Sequence, residues 1–429
     1  MRTAPCQRLL TAALVAAAPT WILVGTAPFA PALAAPAPSY AQLLGEAEVT
    51  APRLLAAKAL IAQAEGLADQ AGTLPNPTVS VLTENVAGTR NYRAFDQAET
   101  TLQFNQLVEL GGKRGARQAA GQADVDASQA HFAATRIAYA CDLALAYADA
   151  EAADRRVDLA EDELEEAQRD DQAARALVAA GREATVRTIQ SQATLTSMRA
   201  DLSQAKAARA AALDRLAVLA GAPEPYTAFP VSLLDTAAAR TGGDGRQDPP
   251  TGDPLASPGY RASVADREAA FRRLEVERAR ATPDVTASLG VRRLEGDRAT
   301  TFVAGVSIPL PLFDRNRGNI SAAQASLTGA EARLEAARRE AEAGVRSARL
   351  QARAAQDRLA AADQSLAAAQ EAYRLTRIAY EGGKAPLSEL LTARHALGVA
   401  NATKVDAQLA RVDAITALAR VEGRIPFGD

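Results

Sequence analysis

Residues 111–181 read GGKRGARQAAGQADVDASQAHFAATRIAYACDLALAYADAEAADRRVDLAEDELEEAQRDDQAARALVAAG. The stretch is rich in Ala and charge and holds no proline. As one helix it would run about 100 Å at 1.5 Å per residue, several times the span of a small domain. Small and apolar residues recur every seven positions: Val125, Phe132, Tyr139, Ala146, Ala153, Ala160, Ala167 and Ala174. Ala150, Val157 and Leu164 form a companion row. A seven-residue repeat predicts helices wound together with a left-handed sense, and an Ala seam lets them approach closely. Gly181 breaks the pattern, and a second helix is predicted from about Thr185 to Ala220.

About 202 residues downstream the same pattern returns. Leu327, Leu334, Ala341, Ala348, Ala355, Ala362 and Ala369 repeat the stripe, Leu359 and Leu366 the companion row, and Gly383 and Gly423 the breaks at Gly181 and Gly221. A duplication at that scale means two copies of one structural unit.

Working outward, a helix is predicted from about Ser39 to Ala71, ended by Gly72 and Pro75. Thr78-Val79-Ser80-Val81 alternates, Ala87 to Gln97 reads as a loop, and Thr100 to Leu110 alternates again, giving a hairpin of two strands of roughly ten residues. Between the copies, Gly221 to Pro258 is rich in Pro and Gly and reads as a linker with a short ordered piece at Val231 to Leu234. The second copy starts at Tyr260, with a helix to Ala281. Val285 to Val291 and Phe302 to Leu310 then alternate around a turn at Gly296-Asp297. The domain reading is therefore a leader at 1–34, a first repeat at 35–221, a linker at 222–258, a second repeat at 259–423 and a tail at 424–429.

The first 34 residues read as a secretory signal: Arg2 and Arg8, an apolar run from Leu9 to Val24, and Ala32-Leu33-Ala34 as cleavage site. Cleavage would remove Cys6 and the single Trp, Trp21, leaving Cys141 alone and no internal disulfide. The net charge of −3 moves to about −5, and scattered basic residues argue against nucleic-acid binding. No later apolar run reaches the roughly 18 residues of a spanning helix, so any membrane contact falls to the strands.

Each copy is helix, hairpin, very long helix, helix. Strands of about ten residues are long enough to cross a bilayer when tilted. Four cannot close a barrel, and open edges are not tolerated in lipid. Either the strands are soluble or several chains share one barrel: two would give eight strands and a filled interior, three would give twelve and a lumen. A strand barrel continuous with a ring of Ala-seamed rods is a pipe.

Three stretches resemble the TolC-type outer-membrane factors, and within them the heavy-metal branch of cobalt–zinc–cadmium and copper–silver efflux. They are Asn76-Pro77-Thr78-Val79-Ser80-Val81, Leu107-Val108-Glu109-Leu110-Gly111-Gly112-Lys113-Arg114, and Ile308-Pro309-Leu310-Pro311-Leu312-Phe313-Asp314-Arg315-Asn316-Arg317-Gly318. The resemblance implies a mainly α fold with a small β part, built as a homotrimer. Its outer-membrane barrel, set in outer-membrane lipid, would continue into a periplasmic helical barrel. The implied partners are a periplasmic adaptor (membrane fusion) protein and an inner-membrane pump of the resistance-nodulation-division type. The implied function is passive export, with divalent heavy-metal cations as cargo. Many members carry a lipidated N-terminal cysteine; Cys6 precedes the apolar run, so no lipid anchor is expected here.

Matched onto the family's far-end turns, Gly181, Arg182, Gly383 and Lys384 are the expected adaptor contacts. Glu389 occupies the first constriction acid, Thr392 stands where the family has a second, and Arg187 stands where it often has an acid. The expected lumen constriction is thus Glu389, Thr392 and Arg187, with Glu389 attracting cations and Arg187 partly neutralising it. The plainer reading makes Glu389 a helix-start acid favoured by the dipole and the glycines ordinary turn residues.

Other constellations give no chemistry. Gly112-Lys113 and Gly383-Lys384 lack the phosphate-loop spacing, since Leu107 and Ile378 stand where Gly is required. Asp158, Glu161, Asp162, Glu163, Glu165 and Glu166 read as a solvated helix face beside Arg155, Arg156 and Arg169. His131, His395 and Met198 have no ligand-spaced partner. No enzyme, cofactor or resident metal is expected. Two alternatives remain open: export of drugs or other small organics through the same pipe, and a secreted structural coiled coil without a pore.

Overall fold

The computed structural model describes residues 36–240 and 253–428; the leader, Cys6 and the middle of the linker lie outside them. Two copies of one unit are apparent. The first is α1 (Tyr40–Thr50), α2 (Pro52–Ala71), β1 (Thr78–Glu84), β2 (Glu99–Val108), α3 (Lys113–Ala179) and α4 (Val186–Ala220). After a short α5 (Leu233–Ala239) come α6 (Pro258–Arg280), β3 (Val285–Leu294), β4 (Ala299–Ser307), α7 (Arg317–Glu381) and α8 (Leu387–Glu422).

The two rods have 67 and 65 residues, about 100 Å each. Both end in the same hydrogen-bonded cap. Gly181 and Gly383 take φ of 69° and 68°, which a residue without Cβ adopts at little cost. Arg182 N donates to Leu177 O and Gly181 N to Val178 O; Lys384 and Gly383 repeat this with Ala379 and Tyr380. The seven-residue stripe is the packing seam. Val125, Tyr139, Ala146, Ala153, Ala167 and Ala174 are buried on α3, and Leu327, Ala341, Ala348, Ala355 and Ala362 on α7.

The expected Ser39–Ala71 helix is two helices. Ala51 is extended (φ −66°, ψ 121°) and Pro52 opens α2, because a proline ring drives the residue before it out of the helical region. β1 is also shorter than expected, with 7 residues, and β4 stops at Ser307, before Ile308 and Leu310. The short ordered piece expected at Val231–Leu234 overlaps the start of α5, which runs on to Ala239.

The sheet is antiparallel in the order β1-β2-β3-β4, so the copies join where Phe104 opposes Leu289 and Leu102 opposes Val291. The helices attached to the strands away from the hairpin tips follow the same order: α2 packs on α3, α3 on α6 and α6 on α7. Farther along, α4 packs on α3, α3 on α8 and α8 on α7. The main core lies midway, where α1, α5, Ala37, Ile425 and Phe427 wrap the rods around Leu43, Tyr139, Leu143, Tyr147, Leu216, Leu234 and Val412. Tyr139 and Tyr147 are fully buried, and their hydroxyls donate to Leu219 O (2.6 Å) and Val231 O (2.8 Å). Burial, and then the charge of Glu151, pushes the Tyr147 phenol up to about 12.

Candidate functional site

The register divides the sheet into two faces. Val79, Phe104, Leu289 and Ala304 form one cross-strand row, and Val81, Leu102, Val291 and Phe302 the next. All but Ala304 are large hydrophobics, and they stand exposed, Phe302 at 88%. The opposite face carries Ser80, Gln103, Gly290 and Val303 in one row and Thr78, Asn105, Ser288 and Gly305 in the next, and Leu82 joins Thr101, Arg292 and Thr301 nearer the hairpin tips, so it is mostly polar or small. At the hairpin-tip end of that polar face, Arg292 reaches Thr101 and Glu99 at 3.0 Å and Glu84 at 3.7 Å. An apolar face fit for lipid thus backs a polar face fit for water, with β1 and β4 as unpaired edges. No helix among the described residues is long and apolar enough to cross a membrane.

The strand-to-helix junction explains the stretch Glu109 to Arg117. Gly111 and Gly112 take φ of 70° and 71°, turning β2 into α3. Lys113 Nζ meets Asp284 Oδ1 at 2.7 Å, and Leu110 N donates to the same oxygen at 3.1 Å. Arg117 grips Glu109 through two nitrogens and donates to Ala71 O and Thr73 O. Arg114 donates to Gly72 O at 2.7 Å. These charged hydrogen bonds tie the α2 end, the sheet and α3 into one corner. The Arg117 guanidinium holds the Glu109 carboxyl below its ordinary value.

Along the rods, α1, α5 and residues 226–234 cover one face of α3. Ala140, Tyr147, Glu151 and Arg155 point that way: Tyr40 Oη donates to Ala140 O, and Arg155 bonds Ser232 and Asp235. Glu151, buried, accepts from Leu233 N and Leu234 N and so holds α5 by its start. The opposite face bears Asp142, Asp149, Arg156, Glu163 and Asp170, seven residues apart. They meet α8 running the other way. Asp142 pairs with Arg420 and Arg156 with Asp406, each at 2.6 Å. Nearer the turns, Arg394 bridges Glu166 at 3.1 Å and Asp170 at 2.6 Å. Between the first two rungs lie two carboxylates, Asp149 and Asp413. Burial raises Asp149 despite Arg215 and Arg156, and burial together with the charge of Asp149 raises Asp413, whose outer edge is solvent-exposed.

At the far end, Gly181, Arg182, Gly383 and Lys384 are exposed in adjacent turns, with Glu389 exposed in the first turn of α8 and Thr392 donating to Ser388 O at 2.9 Å. Arg187, in the first turn of α4, lines a groove of about 810 Å³ with Asp162, Glu166, Asp170 and Arg394, and its buried Nε has no hydrogen-bond partner among the described residues. Leu391 and Arg394 of α8 line the same groove, so α4 and α8 both face it beside α3. Sequence reasoning missed Arg117, Asp284 and Arg394. The first two had no helical or strand periodicity to mark them. The seven-residue charge row on α3 would have marked that face, though not α8 as its partner. No group of three or more metal-ligating side chains occurs among the described residues.

The family described as Outer membrane efflux protein matches residues 43–222 and 256–424. The chain belongs to that family. Among curated relatives, it is 40% identical over 394 residues to the nickel-cobalt-cadmium resistance protein NccC of Alcaligenes xylosoxydans xylosoxydans, covering 92% of this chain and 88% of that one. It is 41% identical over 304 residues to the nickel and cobalt resistance protein CnrC of Cupriavidus metallidurans, covering 71% and 70%. Among solved structures, the outer membrane protein VceC of Vibrio cholerae superposes with a TM-score of 0.71 at 21% identity, covering 90% of this chain and 96% of that one. The CmeC outer membrane channel of Campylobacter jejuni gives 0.74 at 16%, covering 91% and 87%. At such identities these structures speak for the fold, and the fold they share with this outer-membrane efflux family member is that of the rods and the sheet.

Proposed function

We propose that this protein is one third of an outer-membrane channel, a passive conduit that carries divalent heavy-metal cations from a tripartite pump to the cell exterior. The observation that carries the reading is the four-stranded sheet, apolar on one face and mostly polar on the other, with both edges open and a helix attached to each strand at the end away from the hairpin tips. Open edges in lipid are too costly to leave unpaired. Three copies would close twelve strands around a lumen. The cargo rests on the relatives, whose names are nickel, cobalt and cadmium resistance proteins.

In this reading the face opposite α1 and α5 is the bore, so Asp149, Asp413 and the paired charges around them meet the cargo. The far turns at Gly181, Arg182, Gly383 and Lys384 dock the periplasmic adaptor, which links the tunnel to the inner-membrane pump. Glu389 lines the entry with Thr392 and Arg187. The test is a tolerance panel on a deletion strain. Sensitivity to nickel, cobalt or cadmium, restored by the gene, supports the reading. Sensitivity to organic drugs alone would replace the cargo, and no change with either would remove the function.

A further inference from the structure

Beyond β4 the chain presents a short apolar run to solvent: Ile308, Leu310, Leu312 and Phe313 are 51%, 75%, 67% and 99% exposed. The run is braced. Pro309 and Pro311 stiffen it, Leu312 N donates to Leu310 O at 2.8 Å, Arg315 Nε to Pro311 O at 3.2 Å, and Asn316 N to Asp314 Oδ1 at 2.9 Å. Asn316 also donates to Glu277 of α6, fixing the start of α7. Phe313 is therefore held out by an ordered loop.

A receiving surface exists at the same level on the opposite edge of the chain. Leu67 and Leu74 are 61% and 64% exposed. With Ala71, Pro75 and Asn76 they line the apolar side of a hollow of about 730 Å³ between the end of α2 and the start of β1, whose floor carries the Glu109–Arg117 pair. Within one chain the two surfaces cannot meet. β1 and β4 are separated by two strands, roughly 14 Å of sheet at about 4.8 Å per strand. The helices keep the same separation, α2 at one edge and α7 at the other.

In a closed ring the two edges become neighbours. Antiparallel pairing of β4 with the next copy's β1 sets the end of one beside the start of the other. That brings Ile308–Phe313 against the segment just before β1. The order of the rods gives the same neighbour independently, since α7 of one copy comes beside α2 of the next.

We propose that Phe313, flanked by Leu310 and Leu312, seats on the Leu67–Leu74–Pro75 hollow of the adjacent copy, an apolar hook that fastens the ring at the periplasmic rim of the barrel. The inference rests on the ring reading above. The occupant is a second copy because the hook and the hollow lie at the same height on complementary edges.

The experiment places cysteines at both positions in the full chain, Leu74→Cys with Phe313→Cys, and oxidises outer membranes before non-reducing electrophoresis. Native Cys141 is fully buried, and each single substitution serves as control. Dimer and trimer bands that appear only with the pair and vanish on reduction are the expected result. Native mass spectrometry of the same preparation separates the two ways of failing. A trimer without the cross-link overturns the hook and leaves the ring standing; a monomer overturns both. A second arm asks whether Phe313 instead lies in lipid. Fluorescence of Phe313→Trp in nanodiscs, corrected for the unsubstituted protein, is expected to be unaffected by brominated lipid. Strong quenching would make this side chain a membrane anchor and overturn the hook.

Discussion

Gly111 and Gly112 share a left-handed backbone yet should respond differently to the same substitution. An alanine at either position must hold a positive φ, at about 1–2 kcal/mol. At Gly112 nothing lies within 4 Å of the added Cβ, so that is the whole cost. At Gly111 the Cβ would lie 2.6 Å from Thr282 Oγ1 and 2.7 Å from its Cβ, and such crowding adds about 1–3 kcal/mol. Gly111→Ala is therefore expected to cost about 2–5 kcal/mol in total, the sum of strain and crowding. The assay is thermal unfolding of the purified protein in detergent, with the order wild type, then Gly112→Ala, then Gly111→Ala in falling midpoint. Thr282→Gly removes the colliding atoms, so combined with Gly111→Ala it should close most of the gap to Gly112→Ala once its own effect is subtracted in a double-mutant cycle. Equal midpoints for the two alanine variants, or a cycle with no coupling, would refute the close approach of the two repeats at this corner.

Three further outcomes follow from the same geometry. Arg394→Ala breaks the bridge to Glu166 and Asp170; single-channel conductance should rise as the α3–α8 seam loosens, and unchanged conductance would deny the bridge any part in closing the tunnel. Glu389→Ala should weaken cation selectivity in the same bilayer recordings, whereas unaltered selectivity would leave Glu389 a helix-start acid only. Glu109 has its folded-state pKa held down by Arg117. Its contribution is therefore present above its unfolded value and lost as pH falls through the depressed folded value. The wild-type midpoint should drop as pH is lowered beneath the ordinary 4.5, with a smaller drop in Glu109→Gln; parallel profiles would contradict the pairing.

Much of the architecture was legible because it repeats. The seven-residue stripe from Val125 to Ala174 marked α3, and its return from Leu327 to Ala369 marked α7, since close helix packing leaves small residues at one phase of the helix. The alternation of Val285 to Val291 marked β3 for the corresponding reason in a sheet. The break at Pro52 was visible as a residue but hidden by the leucines on both sides, which keep helical spacing through it. The corner at Arg117 was less accessible. Its partners lie just past β2, at Glu109, and at the end of α2, at Ala71 and Thr73, the last two through backbone carbonyls that carry no sequence signature. The α3–α8 charge rungs depend on which helix faces α3, a fact of tertiary order that no local pattern contains.

The central claim is that each chain contributes one third of a closed wall. An electron cryomicroscopy map of the full-length protein in lipid nanodiscs tests it most directly. The account requires three-fold symmetry, twelve strands closed through β4-to-β1 pairing between copies, and a bore running about 100 Å along rods of 1.5 Å rise per residue. A particle of another symmetry, or one whose four-stranded sheets remain open and outside the bilayer, would contradict it.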